Sequence, residues 1–386
     1  MSEDDGSDRR SSNRRRFLAA AGAAGMASVA GCSALLDAVN GDGGDSDGDE
    51  GPGLIGSGRE GRDAPGGTPM SEMPDLSGTL TLYSGRGEPL VGELVSHIED
   101  LYDDFTIEPR YNSSTDLVNQ ITEEGDTSPA DVFFSVNAGS LGVLADEGLA
   151  ATLPDDVATM VDGAYRDDEN QWVGTSGRAR TVPYNTNQFS EDDVPSDISA
   201  FPDADQFQDV MGWAPSYGSF QAFVTAMRIL NGDEETKAWL EGMIDQGVEA
   251  YSDEFTVARR IADGELGAGF TNHYYIQRVV DNRDDPPIAT AFTEGDAGAI
   301  FNVAGAAVVS STDQSELAAN FVRHLLSAEA QEYFATTTFE YPLIPEVEPV
   351  GELPTVDELN PPDLDLTQLS DLGPTLELMR DAGLDV

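Results

Sequence analysis

The chain has 386 residues and is 39% hydrophobic, enough apolar material for a packed core in each of two domains, which excludes a wholly disordered protein. Its 72 Asp and Glu outnumber 20 Lys and Arg, Lys237 is the sole lysine, and the formal net charge is −52. A field of that sign repels nucleic-acid phosphates and anionic lipid, which excludes broad-surface binding to either, and it matches a solubility adaptation to very high salt.

In chain order, residues 13–18 read Asn-Arg-Arg-Arg-Phe-Leu, and the run 19–31 is small, apolar and too short to span a bilayer, which predicts a signal peptide rather than an anchor helix. The paired arginines ahead of Phe17 and Leu18 resemble a twin-arginine export signal, with Asn13 where Ser or Thr is usual. Val29-Ala30-Gly31-Cys32 resembles a lipobox, whose cysteine takes a thioether-linked lipid and becomes the new N-terminus. Cys32 is the only cysteine, so no disulfide forms within the chain. Residues from about 40 to about 75 are mostly Gly, Asp, Ser and Pro, too poor in large apolar side chains to offset ordering entropy. The reading is a signal peptide with lipobox over 1–32 and a disordered acidic tether over 33–78. A soluble domain then hangs on the outer face of the cell membrane, held by lipid alone.

Beyond the tether, residues 80–83 alternate as a strand and end at Ser84-Gly85-Arg86-Gly87; helical spacing follows over 89–102 through Leu90, Leu94, Ile98 and Leu101. The unit repeats as a strand at 106–111, a helix at 116–124, an apolar strand at 131–134 and a helix at 139–147. Such alternation predicts a parallel α/β sheet. A second block at 209–214, 219–231, 234–246, 256–264 and 267–270 repeats it, predicting a second lobe. Between the blocks, the extended run 179–184 is placed to cross from lobe to lobe as a hinge, and 299–310 to cross back. An amphipathic helix is predicted over 314–335 and a bracing helix over 363–382.

Six pieces of this pattern stand out: Leu82-Tyr83-Ser84-Gly85-Arg86, residues 128–134 (Ser-Pro-Ala-Asp-Val-Phe-Phe), Thr175-Ser176-Gly177-Arg178, Thr271-Asn272-His273-Tyr274-Tyr275, Gly295-Asp296-Ala297-Gly298 and Phe339-Glu340-Tyr341-Pro342. In their order and spacing they resemble the iron(III)-binding proteins of bacterial and archaeal ABC transporters, over nearly all of 79–347, here as a haloarchaeal lipoprotein form. The resemblance implies an α/β, two-lobed periplasmic-binding-protein-like fold of type II, hinged by crossing strands. It divides the chain into a first lobe of 79–178 plus 304–345 and a second of 179–303 plus 346–386. It also implies a monomer that is no enzyme, captures Fe3+ between its lobes and delivers it to an ABC permease and its ATPase subunit.

Ferric iron is a small hard cation that prefers anionic oxygen, so tyrosine is the informative residue type. Tyr274 and Tyr275 are adjacent just past a strand end, where α/β proteins place ligand groups, although adjacent tyrosines also occur in ordinary cores. The resemblance implies that this pair binds the metal, and Tyr217, at a helix start, supplies a third phenolate in some branches of the family. Tyr83 and Tyr184 are weaker metal or cleft candidates, since either can simply pack between lobes. The family often adds a His and a Glu from the other lobe; this chain departs from that pattern, with Gly87 and Glu88 in the first place and Val136 and Asn137 in the second. Glu88 is a substitute oxygen donor, or an exogenous carbonate or bicarbonate completes the coordination. Arg86, Arg178 and Asn272 are then the anion-binding candidates; the arginines equally suit salt bridges in so acidic a chain. His273 is expected to support the loop by hydrogen bonding, and His97 and His324 to be structural.

No G-x-S-x-G elbow, H-E-x-x-H helix or Walker glycine loop is present, and the chain has three histidines in all, which argues against a hydrolase. The competing expectation is the same architecture binding thiamine, a polyamine, sulfate or a phosphonate. The phenol pair opposes it, because a polyamine asks for a carboxylate cage and an oxyanion for helix N-termini without clustered phenols.

Overall fold

The structure is a computed structural model that describes Ile55 and residues 62–386. The expected export signal, the lipobox at Cys32 and most of the tether lie outside the described residues.

The first lobe opens with β1 (Gly78–Ser84), α1 (Glu88–Asp100), β2 (Phe105–Tyr111), α2 (Ser114–Glu124), β3 (Val132–Ser135) and α3 (Ala138–Asp146), followed by the short β4 (Ala150–Ala151) and α4 (Asp155–Ala158). β1 lies between β2 and β3 and runs parallel to both. Pro89 starts α1 in its first turn, and Val91, Leu94, Val95 and Ile98 form its buried stripe. Ser113 caps α2 by accepting the Asp116 N–H at 3.0 Å, and Asn137 caps α3 by accepting that of Ser140 at 2.8 Å. Both caps start their helices at the same end of the sheet, beyond the carboxyl ends of β2 and β3.

β5 (Val173–Asn185) is the crossing strand. Its first half pairs antiparallel with the returning β11, and its second half pairs with β9, β10 and β8 of the second lobe. Of its 13 residues only Arg178 is not buried. The second lobe comprises β6 (Met211–Trp213), α5 (Gly218–Asn231), α6 (Asp233–Asp245), β7 (Glu249–Ala250), α7 (Glu254–Ala262), β8 (Ala268–Gly269), β9 (Thr271–Asn272), α8 (His273–Asp281) and β10 (Ile288–Ala291). β11 (Phe301–Val309) then returns to the first lobe, giving the sheet order β2-β1-β3-β11-β5-β8-β6-β7. The chain continues through α9 (Ser315–His324), α10 (Ala328–Tyr333), β12 (Tyr341–Pro342) and α11 (Leu372–Asp381).

Separate apolar cores follow from this order. One gathers Leu82, Val132, Phe133, Val303 and Phe321 around the first lobe's strands; another gathers Trp213, Phe220, Phe223, Trp239 and Phe270 in the second. Each such side chain contributes about 1.5–3 kcal/mol when fully removed from water. A third cluster, Val257, Ile261, Tyr275, Ile276 and Val279, glues α7 to α8.

Three regions differ from expectation. Residues 62–77 are packed rather than tethering: Met70, Met73 and Leu76 are buried, and the Arg62 guanidinium reaches Glu332 at 2.9 Å and the Glu348 carbonyl at 2.7 Å. Three apolar side chains in a polar run suffice to anchor it. The single helix expected over 314–335 breaks, because Ser327 accepts the Ala330 N–H at 3.1 Å and starts a second helix. Residues 346–386 serve both lobes: Leu353, Val356 and Leu359 pack on the first core, whereas Leu369, Met379 and Ala382 belong to the second.

Candidate metal centre

A cavity of about 350 Å3 lies between the helix starts of the two lobes. Its first-lobe wall is formed by Thr115, Val136, Asn137 and Ser140, from the first turns of α2 and α3 and the loop ahead of α3. Its second-lobe wall is formed by Tyr217, Gly218 and Ser219 at the start of α5 and by Asn272 and Tyr274 at the start of α8. Arg178 of β5 and Asn302 of β11 close it at the hinge. No Asp or Glu lines it.

Three phenols converge on the second-lobe wall. Tyr217 is the N-cap residue of α5, and Tyr274 and Tyr275 occupy the first turn of α8, whose side chains lean toward the helix N-terminus. The Tyr217 and Tyr275 hydroxyls are 2.5 Å apart, and the Tyr274 and Tyr275 ring centroids 4.3 Å. Tyr274 faces the cavity; Tyr275 stands behind it with its ring in the α7–α8 cluster. Burial raises the Tyr274 phenol above 10.0, with the Arg178 charge working against that rise, and burial, followed by the neighbouring Tyr274 and Tyr217 phenols, also raises Tyr275. Both are therefore neutral hydroxyls at neutral pH. Tyr217 makes no side-chain cap bond, so the first-turn N–H groups of α5 face the cavity without that partner.

Of the anion-binding candidates, Arg178 and Asn272 stand in this cavity, and Arg178 donates to the Val136 carbonyl of the opposite wall. Arg86 does not. It is 1% exposed, pairs with Glu340 at 2.5 Å, donates to Ser176 at 2.7 Å, and stacks on Phe134 and Phe334. A guanidinium so buried demands a permanent counter-charge, and Glu340 supplies it, since left-handed Phe339 (φ 60°) turns the chain there. Burial works to raise the Glu340 carboxyl, but Arg86 and Arg178 outweigh it and hold it below the usual range.

The remaining candidates also lie elsewhere. Glu88 is exposed at the start of α1, in a groove it shares with Glu93 and Tyr111. The Tyr83 hydroxyl is absorbed by Arg110 at 2.8 Å and Gln120 at 3.2 Å inside the first lobe. Tyr184 packs in the second core, paired with Ala268 and Ala289. Position along the crossing strand explains this last placement: Tyr184 lies six residues beyond Arg178, about 20 Å along an extended chain, in the half of β5 that pairs with β8 and β10.

A model of the bacterial extracellular solute-binding protein family matches residues 93–360. The chain belongs to that family. This solute-binding protein is 29% identical over 313 residues to the major ferric iron-binding protein of Neisseria meningitidis serogroup A, an alignment spanning 79% of this chain and 93% of that one. It is 27% identical over 316 residues to the Fe(3+)-binding periplasmic protein of Serratia marcescens, spanning 79% and 90% of the two chains. The crystal structure of iron-bound HitA from Pseudomonas aeruginosa matches with a TM-score of 0.70 at 30% identity, over 79% of this chain and 99% of that one. The expected two-lobed fold is borne out, and the family is one of binding proteins, not enzymes.

Two residues that matter to the site of this solute-binding protein escaped the sequence reading. Glu254, fully buried at the start of α7, pairs with Arg180 of the crossing strand and accepts the Asn272 N–H at 2.9 Å. It thereby fixes the backbone on which the tyrosines begin. Arg278 lies 5.2 Å and 5.7 Å from the Tyr274 and Tyr275 ring centroids; its i+4 spacing from Tyr274 was the available signal. His273 is buried and accepts the Ala179 N–H at 3.1 Å, and burial lowers its pKa to about 4. Among the described residues no helix is long and apolar enough to cross a membrane.

Proposed function

We propose that this protein captures ferric iron in the interlobe cavity and delivers it to an ABC importer. The observation that carries the reading is the convergence of Tyr217, Tyr274 and Tyr275 at two helix starts. A trivalent cation offsets the cost of ionising buried phenols, and the positive ends of α5 and α8 favour the resulting phenolates by about 0.3–1 kcal/mol each. Tyr274, Tyr275 and Tyr217 are the proposed metal donors. The ferric-binding relatives support the choice of metal.

Two or three phenolates leave the coordination of a ferric ion incomplete, and the first-lobe wall offers no anionic oxygen. An exogenous anion, carbonate or bicarbonate, completes it, held by the planar fork of Arg178, by Asn272 and by the free first-turn N–H groups of α5. The wider reading is a monomer exported by the twin-arginine route in a high-salt organism, lipid-anchored through Cys32 on the outer membrane face, and docking on a permease driven by an ATPase subunit.

Titration with ferric nitrilotriacetate, followed by visible absorption, is the deciding experiment. A phenolate-to-iron charge-transfer band that saturates at one metal per chain is expected. No band, together with calorimetric binding of thiosulfate, thiamine or a polyamine, overturns the ferric reading.

A further inference from the structure

The C-terminal segment passes beside the cavity where the two lobes meet. The 3-10 turn Leu366–Ser370 packs against α3 of the first lobe and α5 of the second. Leu369 and Ser370 of this turn, with Leu372 after it, line the cavity. Leu366 touches both main cores. The adjoining helix α11 is bolted to the second lobe: Met379 is buried in that lobe's core, and the Thr375 and Thr225 hydroxyls meet at 2.8 Å.

The contact with the first lobe is shaped by two glycines. A Cβ at Gly139 would stand 2.3 Å from the Ser370 Cβ, and a Cβ at Gly142 would stand 2.7 Å from the Thr367 Cγ2. Neither glycine has a positive φ, so close approach, not backbone conformation, is what their missing side chains permit here. The turn sits in two notches on α3, one helical turn apart, and a separation of the lobes must lift or slide it out of them.

We propose that the Leu366–Ser370 turn is a latch, carried by the second lobe and seated in the Gly139 and Gly142 notches of α3, that sets the balance between closed and open lobes and so the rate of cargo release. The seat is small and partly exposed, with Ser370 exposed and Thr367 half-buried, as a contact that must break repeatedly requires. The latch stands whether or not iron is the cargo.

Full-length protein carrying Cys32→Ser, with spin labels at Asp126→Cys and Asp245→Cys, exposed positions on the two lobes, reports the lobe separation with no metal added. Gly142→Leu, which fills a notch, and Thr367→Ala, which empties it from the other side, are each expected to raise the long-distance fraction at least about threefold over the parent. With ferric nitrilotriacetate loaded, release to a competing chelator is expected to speed up by a similar factor. Thr367→Ala intrudes on nothing, so it serves as the test if Gly142→Leu does not fold. Parental distance distributions in the folded variants overturn the latch. Failure of the metal titration alone, with the distances shifted as expected, removes the ferric reading and leaves the latch standing.

Discussion

The two walls of the cavity are built from the same local unit, a strand feeding a helix whose first turn faces the opening, yet they carry opposite chemistry. The second-lobe wall presents Tyr217 and Tyr274 directly and Tyr275 through the Tyr217 hydroxyl. The first-lobe wall presents hydroxyl, amide and alkyl groups at Thr115, Ser140, Asn137 and Val136. The scaffold is indifferent to this asymmetry, because a first-turn position is set by the backbone and its chemistry by whichever side chain stands there. One wall carries ionisable phenols and the other only neutral groups, and the proposed ferric site rests on that difference.

Removing the charge-bearing wall is the harshest way to break the contrast. Tyr274→Phe with Tyr275→Phe is expected to abolish the visible band and weaken ferric affinity by about a thousandfold, while thermal unfolding stays near wild type. Unchanged affinity in chelator competition would falsify the assignment of the metal to this wall.

Next in size is the buried support. Glu254→Ala strands the Arg180 charge in the interior and frees the Asn272 N–H, which is expected to cost about 3–5 kcal/mol in denaturant unfolding. A loss under about 1 kcal/mol would mean that water, not Glu254, satisfies the pair.

The pH response sharpens the contrast further. Burial holds Tyr274 and Tyr275 above the ordinary 10.0 while the site is empty, so each phenol that binds metal releases a proton. Ferric affinity should therefore rise with pH, by up to about tenfold per unit for each phenol involved, when measured against a chelator of known protonation. A flat profile would show that neutral donors carry the cation. Stability has its own window: the His273 pKa is lowered from 6.5 to about 4, so the unfolded chain binds the extra proton between those values. Stability accordingly falls as pH drops through that interval, and His273→Gln is expected to flatten that part of the profile.

Periodicity made most of the alternating strands and helices readable and put the tyrosine pair just past a strand end, because both are local properties of the chain; helix α8, which begins at that pair, was not read. The partner of Arg86 was not readable. Glu340 lies 254 residues away and reaches it only because the chain folds back through β12, so a guanidinium beside a glycine turn resembled an anion anchor. The tether boundary failed for a related reason: composition marks residues 62–77 as polar, whereas three apolar side chains and Arg62 suffice to dock them. Long-range pairing decided each miss.

The mildest test rebuilds the poorer wall instead of damaging the richer one. Val136 lines the cavity opposite the tyrosines, and Arg178 already donates to its carbonyl, so a carboxylate introduced there faces a ready counter-charge. Val136→Glu is expected to raise ferric affinity about tenfold in carbonate-depleted buffer, the worth of one added charge-assisted contact of about 1.4 kcal/mol. With carbonate restored, the gain should shrink, because the new side chain and the anion compete for the same open coordination and the same guanidinium. Equal gains under both conditions would mean that the anion and the first-lobe wall occupy separate positions, and that the wall's neutrality is not what calls for an exogenous anion.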